Sequence, residues 1–323
     1  MEGDVAVKEA KTTEMVKNAS KKRFKVKRVS LQLYSMCIPA IISVFVFSYL
    51  PMVGVILAFK NYKYSKGIFG SDWVGFKNFE YFFKSKDFFV ITRNTLLLNT
   101  IFIITGTVAA LFVAIMLYNV KSRAKTKVFQ TIMITPHFLS WVVVSYMVFA
   151  LLNPSYGLVN ALLSKFGIKG IDWYSTPNAW PVILTLFSLW KHVGMDSVVY
   201  YAALMGIDSS MLEAAEVDGA TNFKKTIYVI LPTLIPLITI LTILKIGNIF
   251  RADFGLFYQL TRDVGALYPT TDVIDTYIFR TMRVVGDMGM GAAIGLVQSF
   301  VGFVLVIITN AIANKIDPDA ALF

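Results

Sequence analysis

The stretch LQLYSMCIPAIISVFVFSYLPMVGVILAF, residues 31–59, contains no charged side chain. A helix needs about 20 predominantly apolar residues to cross the hydrocarbon of a bilayer, so this run spans it with room for tilt. It is too long, and begins too far from the N-terminus, to be the core of a signal peptide. Six basic residues, Lys21, Lys22, Arg23, Lys25, Lys27 and Arg28, stand just before it. A basic cluster at the foot of an apolar span is a topology signal or a contact with anionic lipid. Residues 1–20 are polar and are expected to be poorly ordered.

Working outward, hydropathy gives five more runs of this kind, at about 94–118, 128–152, 178–204, 231–250 and 286–314. Each is expected to be helical, because lipid offers backbone N–H and C=O groups no other partner. Composition agrees: 56% of the 323 residues are hydrophobic and 16% are charged, against about a quarter charged in soluble domains. The fold class is therefore all-α, a polytopic membrane protein with six transmembrane helices. The net charge of +11 sits largely in the N-terminal cluster, which lacks interleaved stacking aromatics, so nucleic acid is not the expected partner. Cys37 is the single cysteine and has no disulfide partner or ligand cluster around it.

Orientation follows from the basic residues. The first 30 residues hold nine Lys/Arg, and the loop 119–127 holds Lys121, Arg123, Lys125 and Lys127 without an acid. In a six-span chain both lie on one side, which makes that side cytoplasmic and places both termini there. The loop 60–87, with six Lys/Arg against three acids, weakens the asymmetry without reversing it. In the last span, Gly291 and Gly295 have GxxxG spacing beside Gly286, Gly289 and Gly302. Such residues allow close helix approach, either within one bundle or between subunits.

One segment between spans four and five is unusual for a loop. It reads GIDSSMLEAAEVDGATNFKK from Gly206 to Lys225 and continues to Leu231-Pro232. Ser210 with Glu213 three residues later has capping-box spacing, Ala214 and Ala215 extend a helix, and Gly219 offers a left-handed stop. Thr221 caps a second short helix that is expected to end before Pro232. The result is a rigid helix–turn–helix knob, read either as a plain connector or as a docking element whose small residues admit a partner.

The string Glu213-Ala214-Ala215, then Asp218-Gly219-Ala220, then Leu231-Pro232 resembles the EAA coupling loop of ABC importer permeases, most closely the carbohydrate-uptake group that includes the maltose permeases. Further segments carry the same resemblance. They are Trp73-Val74-Gly75-Phe76-Lys77-Asn78-Phe79 followed by Asn94-Thr95, and Trp190-Lys191 with Gly194 and Tyr200. Residues Asp253–Tyr258 and Thr270–Tyr277 are similar to a branch named for polysaccharide or lipoprotein permeases. The match covers about residues 31–315. It implies a type I ABC importer permease fold, with a basic cytoplasmic segment at 1–30, the permease domain at 31–315, the coupling loop at about 206–230 and a cytoplasmic tail at 316–323.

It also implies a division of labour in the cytoplasmic membrane. This chain is expected not to be an enzyme, to have no catalytic residues and no metal, and to carry no cofactor; it has no GxxxxGK[ST] loop. ATP and Mg²⁺ belong to two copies of a partner ATPase that grips Glu213, Ala214, Ala215, Asp218, Gly219 and Ala220. A second, homologous permease subunit and an extracytoplasmic solute-binding protein complete the implied complex. An amino-acid or peptide permease would share the loop, and a channel or membrane anchor would need neither ATPase nor binding protein; the external segments point to sugars.

Ionisable residues inside spans are costly and face a cavity or a partner. Lys191, His192 and Asp196 interrupt span four, while Lys245, Asn248 and Arg251 lie in or just after span five. They are candidates for the substrate pathway, and the cations fit an acidic oligosaccharide such as a uronate of alginate or pectin type. The alternatives are that His192 pairs with Asp196 one turn on, and that Asp196 and Asp253 neutralise the cations. Tyr146, Tyr200 and Tyr201 are either sugar-stacking platforms or packing aromatics.

Overall fold

The computed structural model describes residues 31–316. The basic N-terminal segment and the tail beyond residue 316 lie outside the described residues, so the expectations placed on them stay as stated. The chain divides into two compact units between Gly54 and Val55. The first contains helix Leu31–Val44 and the π-helical turn Phe45–Tyr49, and 3-10 turns over Leu50–Phe59 run on from it. The change of helix type falls where Pro51 would press on the carbonyl four residues back, a clash that a widened turn relieves.

Five helical segments are long and apolar enough to cross a membrane: Met36–Phe59, Lys86–Tyr118, Pro177–Leu204, Asn222–Gly247 and Met288–Lys315. The pair Arg123–Phe138 and Trp141–Leu152, which meet at 95°, adds a sixth when the two are taken as one broken span. Counted in that way the number of spans is the six expected, but three of them differ in shape from the hydropathy reading.

Span two starts at Lys86, not near 94, because the Ser85 side chain accepts a hydrogen bond from Phe88 N at 3.2 Å and begins the helix early. Its 33 residues extend about 50 Å at 1.5 Å per residue, so the charged first turns stand beyond the hydrocarbon. Span three is broken. Pro136 sits in a 3-10 turn over Thr135–Phe138, and Ser140 then caps a new helix by accepting from Val143 N at 3.3 Å. Span five continues directly from the second helix of the knob. The expected stop before Pro232 does not occur, because a π-helical turn at Thr226–Ile230 opens the backbone where the proline ring would clash with the carbonyl of Tyr228.

In the second unit, span two packs along span four, and span five packs against span six. Trp180, Leu184, Val144, Val148, Leu256, Phe257 and Leu260 fill one core between the bent half of span three, the start of span four and the segment after span five. A second core of Ala110, Ala114, Tyr200, Leu204, Ile230 and Leu234 lies at the knob end, with Leu212 of the knob packed on it.

Two glycines of the last span are used inside this chain. A Cβ on Gly289 would meet Lys60 O at 2.6 Å, and one on Gly291 would meet Met282, so close packing within the bundle accounts for both. Gly295 is different, since its Cβ would meet only Ile278 Cδ1 at 4.0 Å. The tightest approach involves Gly194 of span four, where a Cβ would overlap the Met133 carbonyl. Gly194→Ala is therefore expected to destabilise the protein by about 2 kcal/mol through overpacking against unyielding backbone, while Gly295→Ala stays close to wild type. Thermal unfolding in detergent checks the contrast, and equal midpoints for the two variants would contradict it.

Candidate functional site

Two regions carry the residues singled out by sequence, the knob and a cavity between spans. The first helix of the knob runs Ser209–Val217, two residues earlier than a Ser210 cap would give. The cap is Asp208, whose Oδ1 accepts from Ser210 N at 2.9 Å; its carboxylate is a better acceptor than a serine hydroxyl and reaches the orphan N–H first. These hydrogen bonds hold the Asp208 carboxyl below the usual range. The stop is as expected. Gly219 has φ +75°, its N–H donates to Glu216 O at 3.0 Å, and Ala220 N donates to Ala215 O at 2.9 Å, the paired bonds of a Schellman cap. Thr221 Oγ1 then accepts from Lys224 N at 3.4 Å and opens the second helix.

Within the knob, Glu216 and Lys225 form an ion pair that ties its two helices together. The hydrogen bond and charge of Lys225 hold the Glu216 carboxyl below its ordinary value. Glu213 makes no ion pair among the described residues, and it shares the solvent face with Ser210, Ala214 and Val217, spaced three and four apart. Asp218 and Gly219 are exposed at the tip, whereas Ala215 and Ala220 are half-buried toward the body. Sequence reading missed the apolar part of this face: Val217 is 89% and Phe223 73% exposed. Their signal was large apolar side chains at positions a polar hairpin would give to water.

The cavity is about 670 Å³ and opens between spans two, four and five. Five of the six pathway candidates line it: His192, Asp196, Lys245, Asn248 and Arg251. Asp253 lines it too, as do the apolar residues Phe102, Ile103 and Leu241. Lys245 Nζ lies 2.9 Å from Asp196 Oδ2, joining spans five and four. His192 Nε2 is 3.8 Å from Asp253 Oδ2, which also accepts from Trp141 Nε1 at 2.7 Å. His192 therefore does not pair with Asp196, although the two share a helix face; each finds its partner on the segment across the cavity. Arg251 makes no ion pair among the described residues. Its backbone is held by Asn99 of span two, whose Nδ2 donates to Ile249 O at 2.6 Å and Arg251 O at 3.2 Å.

Lys191, the sixth candidate, is not in this wall. It is 6% exposed and its ammonium donates to the carbonyls of Pro136 at 3.4 Å, of His137 at 3.0 Å and of Leu139. Of the tyrosines, Tyr200 is 1% exposed and packed in the knob-end core, with Tyr201 against the same core. Tyr146 is exposed and lines a separate small cleft.

The remaining motif segments pack on one another. Asn94 Nδ2 donates to Asp272 O at 3.1 Å, and Thr95 Oγ1 accepts from Ile274 N at 3.0 Å. Asn78 Nδ2 donates to Ala58 O at 2.9 Å and Lys60 O at 3.0 Å. These side chains close backbone groups at the ends of spans, which is why polar residues recur there.

Five or six apolar crossings among the described residues, a cavity with charged groups between three of them and a rigid hairpin joining two of them fit a membrane permease. A family model described as binding-protein-dependent transport system inner membrane component matches residues 103–319. The chain is 33% identical over 287 residues to Protein LplB of Bacillus subtilis (strain 168), covering 89% of this chain and 90% of that one. It is 31% identical over 300 residues to the polygalacturonan/rhamnogalacturonan transport system permease protein YteP of the same organism, covering 93% of each. A solved bacterial ABC transporter involved in the import of the acidic polysaccharide alginate has a chain that superposes with TM-score 0.81 at 33% identity, over 88% of this chain and 96% of that one. A bacterial alginate ABC transporter in complex with alginate pentasaccharide-bound periplasmic protein gives TM-score 0.80 at 33% identity, over 88% and 94%. The chain belongs to the family of binding-protein-dependent transport system inner membrane components, with the fold of an ABC importer permease.

Proposed function

We propose that this chain is the permease subunit of an ABC sugar importer that moves an acidic oligosaccharide of alginate or pectin type. The observation that carries the reading is the placement of the cavity. It lies between spans four and five, and the hairpin that joins those two spans is the knob. Movement of the knob therefore acts directly on both charged walls. ATP and Mg²⁺ reside on two copies of a cytoplasmic ATPase, which dock on Glu213, Ala214 and the exposed apolar face. A homologous companion permease supplies the other half of the pathway, and an extracytoplasmic binding protein delivers the sugar. Both termini lie in the cytoplasm with the knob.

Charge bookkeeping in the cavity refines the substrate. Lys245 is offset by Asp196 and His192 faces Asp253, while Lys191 is occupied elsewhere. Arg251 is the cation left without an ion pair, with the Asp275 carboxylate within range of its charge, and its planar guanidinium suits bidentate capture of a carboxylate. One available cation in a balanced wall favours a chain read one carboxylate at a time, with hydroxyls meeting the paired groups. The test is uptake by the reconstituted complex of labelled uronate oligosaccharides and of neutral glucans of equal length. Preference for the uronates supports the reading; preference for the glucans selects the balanced pairs as a site for neutral sugars.

A further inference from the structure

Lys191 was expected in the substrate path, and the place it actually holds needs another explanation. The bend of span three at Pro136–Ser140 leaves the carbonyls of His137 and Leu139 without a backbone donor inside a membrane segment, where each orphan group costs several kcal/mol, while Pro136 O accepts from Leu139 N at 3.2 Å. An ammonium has three donors, and Lys191 directs them to the carbonyls of Pro136, His137 and Leu139. No donor remains for a substrate carboxylate. The ammonium also stands 5.0 Å from the centroid of the Trp141 ring, the first residue of the helix after the break. Trp141 in turn holds Asp253 of the cavity wall at 2.7 Å. One turn further along span four, Gly194 presses on the Met133 carbonyl before the break.

We infer that Lys191 is a positioning residue of the transport cycle: it makes the broken third span and span four one body, so that Trp141, and through it Asp253 of the cavity wall, travel with span four. The inference rests on the proposed coupling of the knob to the cavity, because span four leads directly into the knob. A buried cation on a membrane helix is costly unless its neighbours need it, and here the carbonyls of His137 and Leu139 do. Lysine suits this place better than a neutral donor, which lacks the number of protons and the attraction to an aromatic face.

The experiment uses the full transporter, with companion permease, ATPase and binding protein, in proteoliposomes. Saccharide moved per ATP hydrolysed is measured for wild type, Lys191→Met, Lys191→Arg, Trp141→Phe and, as a control on the underlying reading, Glu213→Lys. Lys191→Met is expected to lower the ratio about tenfold, and Lys191→Arg, which keeps the charge and donors, to restore most of it. Should Lys191→Met fail to assemble, Trp141→Phe decides, since it keeps an aromatic ring beneath the ammonium and removes the N–H to Asp253 together with part of the ring's bulk; it is expected to lower the ratio about threefold or more. A wild-type ratio in assembled Lys191→Met or Trp141→Phe overturns the inference, as does an arginine variant no better than methionine. If Glu213→Lys is impaired while these variants are not, the inference alone has failed. If neither uptake nor stimulated hydrolysis falls in Glu213→Lys, the coupling reading has failed.

Discussion

Glu213→Lys is expected to leave the permease inserted and assembled, and to lower saccharide-stimulated ATP hydrolysis about tenfold or more. The charge of Glu213 stands on the solvent face of a helix whose inner face is anchored by Leu212 in the knob-end core. Reversing it leaves the hairpin intact, because the internal tie is Glu216 to Lys225. What changes is the charge presented to the proposed ATPase; if basic groups there meet Glu213, like-charge contact at the interface costs several kcal/mol. Gly219→Val acts on the same element by another route. A Cβ there would meet nothing within 4 Å, so the penalty is the backbone's own: φ +75° is costly for a β-branched residue by about 1–2 kcal/mol. Stimulated hydrolysis at wild-type rates in both variants, with assembly shown by size-exclusion chromatography, would remove the coupling role.

Arg251→Met is the second large effect, and it is selective. The side chain loses its charge and fork but keeps much of its length, and Asn99 still holds the backbone through Arg251 O and Ile249 O. A charge-assisted hydrogen bond contributes about 1.5–3 kcal/mol, so uptake of uronate oligosaccharides should lose about tenfold to a hundredfold in kcat/KM. Neutral glucans should change little. Equal loss on both sugars would show that Arg251 shapes the cavity without reading charge. The same substitution at Lys245 is a poorer probe, because it strands Asp196 opposite an apolar side chain, and breaking one partner of such a pair costs more than the pair contributes.

The spans were legible because lipid enforces one rule, and long uncharged runs can satisfy it only as helices. Their shapes were less so. Pro136 and Pro232 look alike in sequence, yet one accompanies a 95° bend and the other is absorbed by a π-turn. The difference lies in what stands opposite. At Pro136 span four brings a lysine to the freed carbonyls and a glycine that lets the backbone approach; no local pattern in 128–152 announces either. The same long-range cause explains the cavity. Periodicity placed His192 and Asp196 on one face, and they are on one face, but their partners Asp253 and Lys245 come from beyond the knob. Lys191, adjacent to His192, points away from the cavity because neighbouring helical positions diverge by about 100°. In the knob, Gly219 was readable from its residue type, whereas the choice of Asp208 over Ser210 as cap turned on a competition among three adjacent capping residues.

The most direct test is uptake of a labelled uronate oligosaccharide into proteoliposomes holding this permease, its companion subunit and the ATPase, with binding protein outside and ATP trapped within. The account predicts accumulation that requires ATP and binding protein together and that is lost when Glu213 is replaced by lysine. Equilibration of the sugar without ATP, or accumulation undiminished by that replacement, would contradict it.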